Sequence, residues 1–449
     1  MKSEKPLPGQ IKAKKILIWL LLFAVLLLLA RIGARHYFRD TPVKPGTFSV
    51  TIGRVFAQWA VALLLLQSVL AVRIRFLDRI FGLDRLLKFH RASGIICFLM
   101  AFFHPMLMYL SGLKKAGPLS SDQWPEAIGA ICIIGLWLAV VSSVWRKFFD
   151  LGYQSWLRLH RITASVVMLA LAHMFSIESA MRSGWIFACW LVVIILWVCT
   201  IAAAKFFFPL RFASGESFVV SSATEAAKNI RQLNLVPAKE NAIFDFLPGQ
   251  FAFISFDNPQ VAKEEHPVTI ASAPDDRENL QFLIKGVGDW TKSLSAIKAG
   301  DKAKVIAPFG AFSPFRYEVD NLILIAGGIG ITPMLSILRQ LFHEKAEMPV
   351  KLIWSYKTSA EAPCFEELET LSRNYSSLEI IRVVTRESTE QKESGKRLDR
   401  EALIKLVPEY RQGCLVMICG PLKMMKDIRR YLLESGYPDS AIVSEEFAF

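Results

Sequence analysis

The seven cysteines of this 449-residue chain (Cys97, Cys132, Cys189, Cys199, Cys364, Cys414 and Cys419) include no C-x-x-C pair. That excludes the common zinc and dithiol spacings, and all seven read as reduced and structural, with no zinc site. A standard G-x-G-x-x-G is missing, as are internal repeats and low-complexity tracts. Acidic side chains are scarce relative to basic ones: 40 against 53, leaving a net charge of +13. Much of that excess flanks apolar segments, where cations mark the cytoplasmic side of a membrane, so it is no nucleic-acid signal. What the chain has in quantity is apolar residues, 53% of the total. The excess lies in the first half and excludes an ordinary soluble domain.

Six apolar segments stand out: Ile16–Ala30 and stretches near 52–72, 89–111, 128–145, 159–177 and 184–207. A bilayer helix needs ~20 mostly apolar residues. The first segment is short and resembles a signal-peptide core, but no small-x-small cleavage site follows, and it reads as a membrane helix. Five lysines precede it (Lys2, Lys5, Lys12, Lys14, Lys15); Arg73, Arg75, Arg79, Arg85, Lys88 and Arg91 fill one loop, and Arg146, Lys147, Arg158 and Arg161 another. The opposite side holds Arg31, Arg35, Arg39, Lys44, Lys114, Lys115 and Arg182. The bias predicts six spans with both termini in the cytoplasm of an integral plasma-membrane protein, although the first outer loop is unusually basic.

Within these spans lie His90 and His104, 14 positions apart, and His160 and His173, 13 apart. At ~1.5 Å rise per residue each pair is separated by ~20 Å along its helix. Paired across a bundle, His90 with His160 and His104 with His173, they make an inner and an outer bis-imidazole site, the axial ligand set of a haem. A lone histidine there can instead serve only as a hydrogen-bonding partner. Fourteen residues return to nearly one helix face, but thirteen miss by about 140°. The second helix therefore needs a bulge, or its two rings leave in different directions. Pro105 marks a distortion in the first. Arg54 suits a haem propionate or an anionic product, or snorkels to headgroups.

From about Phe208 the pattern alternates: 217–221, 232–236, 250–256, 280–284 and 304–306 read as strands of a small antiparallel β-barrel. From Asn321 apolar strands at 322–326, 350–356, 378–385 and 415–419 alternate with helical patterns, as in a parallel α/β domain. Leu322–Met334 reads strand, glycine turn, helix start. Gly327, Gly328 and Gly330 let main-chain N–H groups approach a pyrophosphate, and Pro333 suits a first helical turn; an ordinary tight turn is the alternative. Cys419-Gly420-Pro421 ends another strand and starts a helix, so the two turns frame one crevice. His266-Pro267-Val268-Thr269 can turn the Thr269 hydroxyl into a site, or is a proline-bounded edge strand. Lys285, Gly288 and Thr291 suit a phosphate. Arg386 and Lys357, at strand ends, suit a 2′-phosphate or are solvated charges.

In this order the pieces resemble the NADPH oxidase and ferric reductase family over nearly the whole chain. The resemblance implies a transmembrane haem domain (1–207), an FAD-binding β-barrel (208–316) and an NAD(P)H-binding α/β domain (317–449). It places Thr269 at the flavin ring and His266, with Pro267 and Val268, on the ribityl-phosphate side. Lys285, Gly288 and Thr291 would hold the FAD pyrophosphate. Gly327, Gly328, Gly330, Thr332, Pro333, Cys419, Gly420 and Pro421 would hold the nicotinamide nucleotide, and Arg386 favours NADPH without excluding NADH. A C-terminal aromatic stacks on the flavin in that family; Phe447 fits better than Phe449. Val268 replaces a usual Phe, and Ala307-Pro-Phe-Gly310 a GPYG-like turn. The expected activity is passage of electrons from cytoplasmic NADPH through FAD and two b-type haems to external dioxygen, giving superoxide. The alternatives are a ferric-chelate reductase, an electron donor to a periplasmic partner, and a haem-less transporter with a reductase tail. Small outer loops and the absence of a calcium-binding extension point to a small acceptor, no activator and no obligatory protein partner.

Overall fold

Long apolar runs without acids can satisfy their main-chain polar groups only internally once in lipid, and they form helices here. The computed structural model describes residues 8–40, 47–111, 124–146, 148–177, 184–204, 216–239, 244–386 and 398–446. Its first half is helical: α1 (Pro8–Asp40), α2 (Thr47–Ala71), α3 (Arg75–Phe81), α4 (Leu83–Leu110), α5 (Trp124–Val144), α6 (Tyr153–Ile177) and α7 (Gly184–Ala202). Five of these (α1, α2, α4, α5 and α6) are long and apolar enough to cross a membrane, and Ile186–Ala202 is a shorter apolar helix. Large side chains on α1, among them Leu20, Leu21 and Phe23, are more than half exposed, a surface suited to lipid rather than water.

The described chain divides into two compact units. One comprises Ala13–Ile74 and Arg85–Phe207. Its core joins Leu64, Cys97, Cys132, Leu136, Val166 and Trp190. Polar atoms inside it are satisfied locally: Trp197 donates to Ser68 Oγ at 2.7 Å and Cys97 to the Ala60 carbonyl at 3.2 Å. Pro105 does not end α4, and α6 runs without a break past both of its histidines. The thirteen-residue spacing is therefore met by rings that leave α6 in different directions, not by a bulge.

The other unit contains Phe208–Phe449 together with Arg75–Asp84, which carries α3. An antiparallel six-stranded sheet comes first, with order β4-β3-β6-β1-β2-β5. Its strands are β1 (Glu216–Ala227), β2 (Ile230–Pro237), β3 (Phe251–Asp257), β4 (His266–Thr269), β5 (Leu280–Lys285) and β6 (Lys302–Phe309). Asn229, at φ 60°, supplies the left-handed residue that a tight β1–β2 hairpin needs. The sheet is not a fully laddered barrel. β4 and β5 are its ends, bridged just beyond β4 by the Ala271 N–H to the Gln281 carbonyl at 2.8 Å.

A parallel five-stranded sheet follows, β11-β10-β7-β8-β9. It comprises β7 (Asn321–Gly327), β8 (Val350–Tyr356), β9 (Leu378–Val384), β10 (Cys414–Cys419) and β11 (Ile442–Ser444). Strand β7 is buried from Leu322 to Gly327 because one core cluster covers each face, which is why it reads as an unbroken apolar run.

Candidate functional site

In the helical unit the four histidines are held differently. The rings of His90 (α4) and His160 (α6) face each other with centroids 6.0 Å apart. Two ~2 Å metal–imidazole bonds, plus ~1 Å from each bonding nitrogen to its ring centre, span about that distance. His160 also stacks on Trp156 at 5.2 Å, and its Nδ1 is buried without a hydrogen-bond partner among the described residues. The Gln67 amide lies 2.7 Å from His90 Nδ1. His104 Nδ1 stands 2.9 Å from the Gly53 carbonyl of α2, and His173 Nδ1 2.7 Å from the Pro125 carbonyl of α5. A carbonyl only accepts, so each Nδ1 carries the proton and each Nε2 keeps the lone pair that ligates a metal. Gly129 is required beside His173: a Cβ there would lie 2.7 Å from the ring. His160 meets α4, whereas His173 meets α5, the divergence that the helix period demands.

In the reductase unit the two glycine turns meet. β7 and β10 run in parallel with Ala326 opposite Cys419, so both turns leave the sheet at the same end. Cβ atoms would lie 2.6 Å from Met424 at Gly327, 2.4 Å from the Cys419 carbonyl at Gly330 and 2.9 Å from the Gly327 Cα at Gly420. These glycines let the turns pack on each other. Gly328 alone of the group has open space around it, at φ 54°, and its carbonyl accepts from Trp354 Nε1 at 3.0 Å. Thr332 and Pro333 are buried in the first turn of the helix Ile331–His343, with Thr332 Oγ1 donating to the Ile329 carbonyl. Pro421 precedes the helix Leu422–Glu434.

Strand β4 lies on β3 with Thr269 opposite Phe251 and His266 opposite Ile254. His266 is fixed twice, by Glu264 at 3.0 Å and by stacking on Trp290 at 4.0 Å. The Thr291 hydroxyl accepts from the Val287 and Gly288 N–H groups and thereby shapes its own turn. Lys285 is paired with Glu361 at 2.5 Å. Arg386 and Lys357 stand side by side at the ends of β9 and β8, joined by the Arg386 N–H to the Lys357 carbonyl at 3.0 Å. Phe447 and Phe449 lie outside the described residues.

A cluster that sequence reasoning missed lies at the end of β6. Asp78 of α3, wholly buried, accepts the Gly310 N–H at 2.8 Å. Arg316 donates to the Arg79 carbonyl, and Glu445 accepts the Ala311 N–H at 3.1 Å. Gly310 is tied to the Gln250 amide at 2.9 Å, and a Cβ on it would lie 3.0 Å from Glu445. Burial, opposed by the Gly310 N–H and Arg316, pushes the Asp78 carboxyl up to about 6. Burial and the neighbouring Asp78 push Glu445 up to about 8. The sequence carried no signal for this: Arg75 and Arg79 count there only as topology charges.

With this geometry in place, three family models match: "Ferric reductase like transmembrane component" over residues 56–171, "FAD-binding domain" over 218–310 and "Oxidoreductase NAD-binding domain" over 324–430. The three matches, in this order along one chain, support the NADPH oxidase and ferric reductase family. Among curated relatives, a superoxide-generating NADPH oxidase heavy chain of Dictyostelium discoideum is 26% identical over 313 residues, covering 58% of this chain and 43% of the relative. Flavohemoprotein A of the same organism is 26% identical over 245 residues, covering 51% of this chain and 59% of the relative. The chain thus spans well under two thirds of either. Among solved structures, the flavohem-like FAD/NAD-binding domain of nitric oxide dioxygenase from Vibrio cholerae is similar over 52% of this chain and 98% of its own, with 24% identity and a TM-score of 0.47.

Proposed function

We propose that the chain is a membrane oxidoreductase that passes electrons from NADPH through FAD and two b-type haems to dioxygen on the far side, yielding superoxide. The observation that carries this reading is the His90–His160 ring pair at 6.0 Å, with His104 and His173 each held at Nδ1 by a main-chain carbonyl further along the same two helices. His90 with His160 and His104 with His173 would hold the haem irons. FAD, when bound, takes a hydride and returns single electrons. The residues of this chain do the rest. Gly328 leaves room for a dinucleotide at the β7 turn, and Arg386 with Lys357 offers charge to a 2′-phosphate. β4 presents Thr269 to the flavin ring and His266, Pro267 and Val268 to its ribityl-phosphate side. The C-terminal Phe447 would cover the ring. Haems held by these imidazole pairs would supply electron transfer to a small acceptor without binding it at the iron.

A second reading, ferric-chelate reductase, is favoured by the family model matched at residues 56–171. The test is an optical spectrum of the purified protein before and after NADPH, with and without oxygen. Two low-spin haems that reduce with NADPH and reoxidise quickly in air, with dismutase-sensitive dye reduction, support the oxidase. Slow reoxidation with fast, salt-sensitive ferric-chelate reduction overturns it in favour of the reductase. A missing Soret band overturns both.

A further inference from the structure

The nucleotide-facing end of the parallel sheet carries an arrangement that charge counting does not reveal. Lys357 and Arg386 follow β8 and β9 and are held together by their main chains. Neither forms an ion pair among the described residues. Immediately after Lys357, the 3-10 turn Ser359–Glu361 carries a carboxylate. That turn is gripped from the antiparallel sheet at two points. The Lys228 N–H of the β1–β2 hairpin donates to the Ala360 carbonyl at 2.8 Å, and Lys285 of β5 reaches Glu361 at 2.5 Å. The Lys285–Glu361 pair is only about one-fifth exposed on either side. Lys285 pairs with this carboxylate directly, and the charges of Lys357 and Arg386 also act on it. Hydrogen bonding and charge from Lys285, then the charges of Lys357 and Arg386, hold the Glu361 carboxyl below its ordinary range despite the opposing effect of burial.

An arriving 2′-phosphate, with close to two negative charges at neutral pH, needs the field of Lys357 and Arg386. Glu361 draws on the same field and repels the newcomer. Lys285 counters both effects by tying the glutamate down on the flavin side. We propose that Glu361 is a specificity-determining residue for the nucleotide: a built-in anion that competes with the 2′-phosphate for Lys357 and Arg386, with Lys285 as its restraint. This rests on the reading that the β7–β9 end of the sheet binds a 2′-phosphorylated nucleotide. Selectivity between NADPH and NADH is then set by the Lys285–Glu361 pair as much as by Arg386.

Equilibrium binding of adenosine 2′,5′-bisphosphate and of 5′-AMP to the full detergent-solubilised chain separates the two ideas. Wild type reports on the nucleotide reading and the variants report on Glu361. In Glu361→Gln the preference for the bisphosphate rises about 5-fold at low salt, and in Lys285→Gln it falls about as much, with 5′-AMP unmoved in both. An unchanged or reduced preference in Glu361→Gln overturns the inference even if wild type favours the bisphosphate. Equal loss of both ligands in Lys285→Gln overturns its role as a restraint. A wild type that does not discriminate, with a Glu361→Gln that does, upholds the inference and turns the natural substrate to NADH. If neither discriminates, both ideas fall.

Discussion

Replacing Asp78 with Asn tests whether the carboxyl buried beside Gly310 is a cost or an anchor. Its folded value of about 6, against an ordinary 3.8, already includes the opposing pull of Arg316 and the main-chain amides. A raised carboxyl favours the protonated form, so its stabilising contribution is complete below about pH 4 and is lost as pH climbs through 6. At pH 8.5 the ionised group costs roughly 3 kcal/mol relative to the protonated one, at about 1.4 kcal/mol for each tenfold change in proton affinity. Glu445 adds a loss as pH rises through about 8, and the two do not simply add because the Asp78 charge is part of what raises Glu445. Asn keeps an acceptor for the Gly310 N–H and gains a donor toward Glu445, whose Oε2 has no hydrogen-bond partner among the described residues. Asp78→Asn should therefore stay close to wild type at pH 4 and resist unfolding better at pH 8.5. About 2–3 kcal/mol corresponds to a rise of roughly 5–10 °C for a module of this size. The assay is thermal release of flavin fluorescence from the full chain at the two pH values. A lower midpoint at pH 8.5 with little change at pH 4 would show that the Asp78 charge anchors Arg316, and the carboxyl would then be no cost to the fold.

Other expectations follow from the packing and the ligand sets. Gly330→Ala places a Cβ against the Cys419 carbonyl and should abolish dinucleotide binding, with at least about 2 kcal/mol lost in denaturant unfolding. His104→Ala should halve the haem content, measured by pyridine haemochrome, while NADPH-driven reduction of a soluble dye through the flavin continues; collapse of dye reduction refutes a modular relay. Trp290→Ala removes the stacking support of His266 and should weaken flavin retention on gel filtration about tenfold, whereas Trp290→Phe should recover most of it. Phe447→Ser should shift the NADPH-to-NADH ratio of kcat/KM; if only Phe449→Ser does so, the stacking residue is Phe449.

The helices and the parallel strands were legible because each is written in a repeating pattern that burial or lipid enforces. Leu322–Ala326 is apolar at every position since both its faces are covered. The pairing of His90 with His160 was legible from spacing alone, as was the choice between a bulge and divergent rings, although not which would occur. β4 is shorter than the window over which alternation shows, and β11 has three residues. The barrel expected from alternation is a sheet with a main-chain bridge just beyond one end strand, a matter of closure that composition does not encode. The roles of Lys285 and Thr291 were only half visible: a cation and a hydroxyl beside a glycine turn suit a phosphate, but the carboxylate that Lys285 meets lies 76 positions away. Asp78 was invisible for the same reason, since its main-chain partner Gly310 lies 232 residues downstream.

That separation bears on how the protein is made and re-engineered. α3 is synthesised early, between two apolar helices, yet the surface it belongs to is completed only when the last strand and Glu445 have left the ribosome. During synthesis Asp78 stays hydrated, and its desolvation is deferred to the end. A chimaera that joins this membrane half to another reductase at residue 208 would inherit an α3 cut for a different socket. Transplanting residues 75–84 together with the C-terminal half keeps lock and key from the same parent.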